Sequence, residues 1–453
     1  MELLTDYTLK NLAKVLGASF SGDDVMFSSV STDTRNIKKN SLFVALKGPN
    51  FDAHDYLDQA KDNGAVAALV SRNVKSDLPQ IKVEDTLLAL GQMANARRNS
   101  FSGKVIGLTG SNGKTTVKEL IASILQLSGK VLATNGNFNN DIGLPLTLLR
   151  LENNEKFAVI EMGANHPGEI NYLSKITRPD IALITNAGAA HLEGFGSLEG
   201  VAKAKGEIFG GLTADGTAVI NLDDDYAEYW LSVSDKYKQK TFSLSDESAD
   251  VYATNIQPIK AGSQFSLHIN GQKEIVINLP LSGKHNVANA LVASAVASVC
   301  GVAVSQIKEA LESFKMVKGR LTFIEGKHHS TVIDDTYNAN LDSTKAALNV
   351  LKELKTDQSE TCFVFGDLFE SGSDAKKIHQ DVGQYAREQG IDQLLTVGEM
   401  SKLATECFGD GARHFQSKKD LAEYLLSRLS EKSVVLIKGS RGMKMEEIVE
   451  QLI

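Results

Sequence analysis

The sequence predicts an α/β protein of three domains: a small N-terminal α/β module, a central P-loop-type parallel sheet and a C-terminal doubly wound, Rossmann-like domain. Three observations carry that expectation. A chain of 453 residues is long enough for two to four separate cores. A short apolar run, Lys104 to Leu108, passes through Gly107-Leu108-Thr109-Gly110-Ser111-Asn112-Gly113-Lys114-Thr115-Thr116 into a helical pattern from Val117 to Leu127. Beyond Gly319-Arg320, strand-like and helix-like segments alternate to the end, as in a mostly parallel sheet covered on both faces.

Composition narrows the class. Hydrophobic residues at 42% and charged residues at 23% are ordinary for a soluble globular chain, and no run is long enough to cross a bilayer. The start, Met-Glu-Leu-Leu-Thr-Asp, lacks the basic residues and apolar core of a secretion signal, so a cytoplasmic location is expected. Cys300, Cys362 and Cys407 are widely spaced and set in apolar surroundings, which suits reduced thiols and leaves any metal to oxygen and imidazole ligands. A net charge of −8 argues against a general nucleic-acid surface while allowing a local anion-binding cleft.

In the first module, residues 1–84, Phe27 to Val30, Ser41 to Leu46 and Val66 to Val70 read as strands and Tyr56 to Asn63 as a helix. The polar stretches Ser31-Thr32-Asp33-Thr34-Arg35 and Lys47 to His54 follow strands, where open α/β sheets hold ligands; capping and turn chemistry would place the same residues there.

The helix Leu87 to Arg98 leads into the glycine-rich turn. Its glycines let backbone N–H groups close on a phosphate at the positive end of the following helix. Lys114 supplies a mobile charge for terminal phosphates, and the Thr115 hydroxyl suits the magnesium that accompanies a nucleoside triphosphate. The usual spacing has a glycine where this chain has Leu108, with glycines at 107 and 110 instead. A polar loop follows, Asn135-Gly136-Asn137-Phe138-Asn139-Asn140-Asp141, whose amides suit phosphate or sugar oxygens as well as left-handed turns.

Phe157 to Ile160 ends at Glu161-Met162-Gly163-Ala164-Asn165-His166, and Ile181 to Ile184 ends before a loop carrying His191. Neighbouring strand ends of a parallel sheet converge, so Glu161 and His191 are candidate magnesium ligands or their supports. Ala202 to Phe209 reads as a helix whose Lys203 and Lys205 face solvent by periodicity alone. Gly216 to Leu222 reads as a strand, and Gln264 to Leu279 as one or two strands of an antiparallel ribbon. Asn286 and Asn289 share a face of the Ala-rich helix opened by Ser282-Gly283-Lys284, suited to a base or ribose.

In the last domain, strands are expected at Thr331 to Asp334, Cys362 to Phe365, Leu394 to Val397 and Val434 to Ile437, with helices at Ser343 to Leu354, Ala375 to Glu388, Leu421 to Leu429 and Glu446 to Leu452. Its strand ends carry Asp335-Thr336-Tyr337-Asn338-Ala339-Asn340, Gly366-Asp367 and Lys438-Gly439-Ser440-Arg441-Gly442. A domain without its own phosphate loop but with such ends suits closure over a nucleotide held by the middle domain.

Together, Gly110 to Thr116, Glu161 to His166, His285-Asn286-Val287-Ala288-Asn289 and Asp335 to Asn340 resemble the ATP-dependent Mur ligases of peptidoglycan synthesis, over essentially the whole chain. Within that family, Asn137 to Pro145, Ala189 to Gly196, Phe365-Gly366-Asp367 with His379, and Lys438 to Gly442 are similar to the members that add D-alanyl-D-alanine. The Asp-Asn-Pro-Arg signature of the sister ligase that adds meso-diaminopimelate is absent. Leu341 stands where the family commonly has proline, and Ala53 where it has glycine.

The resemblance implies an ADP-forming carboxylate–amine ligase of cell-wall synthesis, joining UDP-N-acetylmuramoyl-tripeptide to D-alanyl-D-alanine through an acyl phosphate. It implies a UDP-substrate domain at 1–84, an ATP domain at 85–316, and a third domain at 317–453 that closes on ATP and binds the amine. Lys114, His191, Lys205 and Arg320 would be catalytic. ATP would meet Gly110, Ser111, Asn112, Gly113, Lys114, Thr115, Thr116, Asn286, Asn289, Arg320, Asp335 and Asn338, with Asn340 arriving on closure. Thr115 and Glu161 would hold one magnesium ion, and His191 with a carbamylated Lys205 a second. Thr32, Asp33, Thr34, Arg35, Asp52, His54 and Asn140 would meet the UDP-linked substrate. A monomer is expected, with no nucleic-acid partner and no membrane span. The rival readings are another amide ligase of the superfamily, tripeptide-forming or folylpolyglutamate-forming, and a nucleotide-switched binding protein.

Overall fold

The structure, a computed structural model, describes residues 8–189, 192–259, 262–369 and 372–453. Three sheets organise it. In the first, β1 (Ser19–Ser21), β2 (Ser29–Ser31), β3 (Ser41–Val44), β4 (Ala65–Val70) and β5 (Gln80–Lys82) lie in the order β1-β5-β4-β3-β2, parallel except for β1.

The central sheet has nine strands: β6 (Lys104–Thr109), β7 (Val131–Ala133), β8 (Phe157–Glu161), β9 (Ile181–Ile184), β10 (Thr217–Asn221), β11 (Lys238–Ser243), β12 (Val251–Ile259), β13 (Gly262–Ile269) and β14 (Ile275–Leu279). Their order is β14-β13-β12-β11-β10-β9-β6-β8-β7, parallel from β7 to β12 and antiparallel over the last two pairings. Side chains alternate between two cores. Ile106, Leu108, Val159 and Leu183 enter the core covered by the helices Lys114–Gln126 and Lys284–Val299, whereas Val105, Ala158, Ile160 and Ala182 enter the other. Burial on both faces explains why these strands read as apolar runs.

The third sheet, β15 (Thr322–Glu325), β16 (Thr331–Asp335), β17 (Glu360–Gly366), β18 (Gln393–Val397), β19 (Ala412–Phe415) and β20 (Ser433–Lys438), has the order β15-β16-β20-β17-β18-β19 and is parallel except for β15. The alternation expected from sequence is therefore present. β11, β15, β19 and the helix Lys402–Phe408 were not expected: β11 is exposed at its start, β15 is half-buried along most of its length, and β19 lies at a sheet edge, so none carries a clear apolar run. The ribbon after β11 is also longer than expected, three strands from Val251 to Leu279.

The helix Thr86–Ser100 joins the first two sheets. Ala89, Leu90 and Met93 pack into the core of the first sheet, while Ala94 and the following Phe101 belong to a core of the central one. Among the described residues no helix is long and apolar enough to cross a membrane.

Candidate active site

The parallel strands β6, β8, β9 and β10 deliver their C-terminal ends to one cleft of about 1210 Å³. β6 runs into Gly110 at φ +149°, where a Cβ would overlap the Thr185 hydroxyl. Gly113, at φ +81°, caps the helix Lys114–Gln126, and a Cβ there would press on Asn289 Oδ1. Turn and close approach both demand glycine. The helix thus starts at Lys114, three residues earlier than its apolar pattern suggests, and Thr115 sits in its first turn. Buried Leu108, in place of the usual glycine, lies within the strand and leaves the turn to Gly110.

The strand end of β9 braces this loop. Thr185 Oγ1 donates to Asn112 O (2.6 Å), Asn112 N donates to Asn186 Oδ1 (3.0 Å), and Ser111 N donates to Asn186 O (3.0 Å). The Lys114 ammonium donates to the carbonyls of Gly110 (2.6 Å) and Ser111 (3.2 Å). Burial lowers the Lys114 pKa and Arg320 adds to that, while Glu161 opposes both.

Glu161, at the end of β8, faces the first turn of that helix. Thr115 Oγ1 donates to Glu161 Oε2 (3.1 Å), and Asn139 Nδ2 donates to Oε1 (2.9 Å). A hydroxyl and a carboxylate beside a phosphate loop form the hard-oxygen set that magnesium takes, with nucleotide phosphates and water completing the shell. Among the described residues no group of three or more His, Cys, Asp and Glu side chains could hold a metal by itself. His191 lies outside the described residues, so the second expected metal set reduces to Lys205.

Lys203 and Lys205 part company. Lys203 is exposed and pairs with Glu199, as periodicity suggests. Lys205 contradicts that reading: it is 3% exposed, lines the cleft, and has no hydrogen bond or ion pair among the described residues. Its ammonium lies 6.0 Å from the Phe195 ring centre, and burial with nearby Lys114 holds its pKa well below the usual lysine value.

The third domain reaches the phosphate loop directly. Arg320 Nη2 donates to Thr115 Oγ1 (2.9 Å), its guanidinium lies 4.2 Å from the Tyr337 ring centre, and its buried Nε has no partner among the described residues. Asn340 Nδ2 donates to Asn112 Oδ1 (2.8 Å), and Asp342 Oδ2 accepts from Ala189 N (2.9 Å). Asn340 also caps the helix Leu341–Glu353, so Leu341 occupies the first helical position, where the family's proline would fit equally well.

The residues expected around adenosine are gathered on the cleft wall, with their polar atoms partly engaged. Asn286 Nδ2 donates to Ser282 O (2.9 Å) and Asn289 Nδ2 to Asn286 Oδ1 (3.0 Å). Asp335 is buried against Lys438 Nζ at 2.6 Å; burial raises its pKa and Lys438 opposes that. Asn338 Oδ1 accepts from Arg441 N (3.3 Å). His285 is half-buried, and desolvation, with nearby Lys438 adding to it, lowers its pKa to about 4.

The residues expected around the UDP moiety divide. Asn140 lines the cleft, where its Oδ1 accepts from Gly143 N (2.9 Å). Thr32, Asp33, Thr34, Arg35, Asp52 and His54 are not on the cleft wall, which the first part of the chain reaches through Leu87 and Leu88. Local contacts account for most of the six. Asp33 caps the turn Thr34–Asn36 and pairs with Arg35 at 2.7 Å, whose hydrogen bond lowers the Asp33 pKa. Thr34 donates to Gln59 (3.2 Å). Buried His54 accepts from Ser71 N (2.8 Å) at Nε2 and meets Asp52 at Nδ1 (2.5 Å), and Ala53 simply opens the turn Ala53–Tyr56. Sequence reasoning gave Asn186, Asp342 and Lys438 no role of their own; Asn186 follows a strand, Lys438 ends one and Asp342 lies at the start of a helix, but nothing in their spacing says what they touch.

Comparison with known proteins adds a family to this geometry. The profile of the Mur ligase middle domain matches residues 108–297, that of the "Mur ligase, glutamate ligase domain" 319–441, and that of the "Mur ligase family, catalytic domain" 26–98. The UDP-N-acetylmuramoyl-tripeptide–D-alanyl-D-alanine ligase of Escherichia coli K12 is 45% identical over 448 residues, 98% of each chain. The chain belongs to the Mur ligase family. Among solved structures, this Mur ligase superposes on a crystal structure of MurF from Acinetobacter baumannii with a TM-score of 0.93, at 36% identity over 99% of each chain. It superposes on MurF ligase from Thermotoga maritima in complex with ADP with a TM-score of 0.83, at 28% identity over 93% of this chain and 96% of the other.

Proposed function

We propose that this Mur ligase joins UDP-N-acetylmuramoyl-tripeptide to D-alanyl-D-alanine at the expense of ATP, releasing ADP and phosphate. One observation supports it above the rest: Lys114, the Thr115–Glu161 pair and Arg320 meet in a single cleft of a chain 45% identical to a ligase of that name.

A terminal carboxylate is a poor acylating agent. Its oxygen attacks the γ-phosphorus, the bond to ADP breaks, and an acyl phosphate forms. The dipeptide amine then attacks the carbonyl carbon, phosphate leaves with the bonding pair, and the amine gives up a proton. Bringing carboxylate and triphosphate together requires concentrated positive charge, which Lys114 and Arg320 supply. Gly110 to Thr116 cradle the phosphates. Asn286, Asn289, Asp335 and Asn338 face the nucleoside, and Asn340 holds the third domain on the loop.

Thr115 and Glu161 would hold one magnesium ion; when bound, magnesium neutralises phosphate charge. Lys205 is poised for carbamylation because its depressed pKa favours the neutral amine. That amine adds to carbon dioxide with loss of a proton, and the resulting anion, with His191, would hold a second ion. Thr32, Asp33, Thr34, Arg35, Asp52, His54 and Asn140 are assigned to the UDP-linked substrate, with the first six acting through loop shape. Domains 1–84, 85–316 and 317–453 take the UDP substrate, ATP and the amine respectively, in a cytoplasmic monomer.

The test is phosphate release with defined UDP-muramoyl-tripeptides and a panel of amines. Release dependent on D-alanyl-D-alanine is expected; activity with glutamate or a diamino acid alone would overturn the reading.

A further inference from the structure

The helix that opens with Lys114 and Thr115 carries a second lysine one turn on, and the chemistry above gives it no task. Lys118 is 1% exposed. Its ammonium donates to Thr134 O at 2.6 Å and lies 3.0 Å from the carboxylate of Glu119, a side chain 40% exposed. Burying an ammonium in this way is costly, and an apolar side chain of similar length would fill the space without that cost.

Thr134 is the residue at which Lys118 acts. It lies just beyond β7 and is itself buried. Its N–H donates to Val159 O (3.0 Å), its carbonyl accepts from Lys118, and its hydroxyl accepts from Glu161 N (3.0 Å). The chain after Thr134 carries Asn139, whose amide holds the Glu161 carboxylate from the other side. Lys118 and Thr115, three residues apart, share a helix face. The same helix therefore reaches Glu161 twice, directly through the Thr115 hydroxyl and indirectly through Lys118 and Thr134.

We propose that Lys118 is a positioning residue for the divalent cation of the nucleotide: by clamping Thr134 it sets the spacing between the Thr115 hydroxyl and the Glu161 carboxylate. This rests on the reading that those two groups hold magnesium. Lys118 touches neither cation nor substrate; it fixes where the carboxylate stands. Outer groups of this kind change metal affinity by about 10- to 100-fold when removed.

The experiment measures free manganese(II) by electron paramagnetic resonance as it is titrated into the full-length protein with saturating ADP, for the parent, Lys118→Met, Thr134→Val, Thr134→Ser and Glu161→Ala. ADP affinity without metal and thermal midpoints are recorded alongside. Lys118→Met and Thr134→Val are expected to weaken manganese binding about tenfold while metal-free ADP affinity holds, and Thr134→Ser, which keeps the hydroxyl, to stay near the parent. If Lys118→Met does not fold, Thr134→Val carries the test alone. Parent-like manganese affinity in Lys118→Met or Thr134→Val, with Glu161→Ala weakened, would overturn the positioning role. Parent-like affinity in Glu161→Ala would instead overturn the cation site on which it rests.

Discussion

Two sets of strand-end loops look alike in sequence and behave differently in the structure. Those of the first sheet, around Asp33 and His54, are closed networks: Asp33 meets Arg35, and Asp52 and Ser71 take the two ring nitrogens of His54. Those of the central sheet are left open. Among the described residues Lys205 has no hydrogen bond or ion pair and the buried Nε of Arg320 has no partner, while Lys114 rests on backbone carbonyls. Polar residues that satisfy one another hold shape, whereas cations with no carboxylate at ion-pair distance among the described residues mark a place prepared for anions.

Substitutions should break that contrast in graded steps. Lys114→Ala is expected to lower kcat by about 10³-fold with an unchanged urea midpoint, since its ammonium braces only its own loop. Lys205→Ala should cost on the order of 10²-fold, partly restored by short carboxylic acids; full activity in its steady-state assay would remove Lys205 from the chemistry. His285 then makes stability depend on pH. His285 holds its proton less tightly in the folded chain, at about 4, than its ordinary 6.5. The unfolded chain alone binds that proton between these values, so stability present above pH 6.5 declines toward pH 4, by at most about 3 kcal/mol. Urea denaturation across that range should show the slope, and His285→Gln should flatten it. His54→Ala should lose about 2 kcal/mol of stability, read by the same method at pH 7, because Asp52 and Ser71 N lose a buried partner. Arg35→Ala, at an exposed pair, should leave the urea midpoint nearly unchanged.

Much of this was legible in the chain. Strands buried on both faces read as apolar runs, and the glycines at 110 and 113 announced a turn that only glycine permits. Lys205 shows where local pattern stops: on one turn of helix it is indistinguishable from Lys203, and only the packing of Phe195 and the phosphate loop puts it in the cleft. Lys118 is similar, since its partner Thr134 lies 16 residues away on another element. The first-domain loops are ambiguous in the opposite direction. Their polar content suggested a ligand surface, yet Asp33, Thr34, Asp52 and His54 bond one another and their neighbours, which a sequence cannot distinguish from bonding to a ligand.

The helix Thr86–Ser100 contributes side chains to the cores on either side of it. A cut at residue 84 would strip Leu90 and Met93 from beneath the first sheet, and the severed piece should precipitate rather than fold. Grafting the first module between related ligases would therefore have to carry this helix along, which places the workable seam after Ser100 rather than before Thr86.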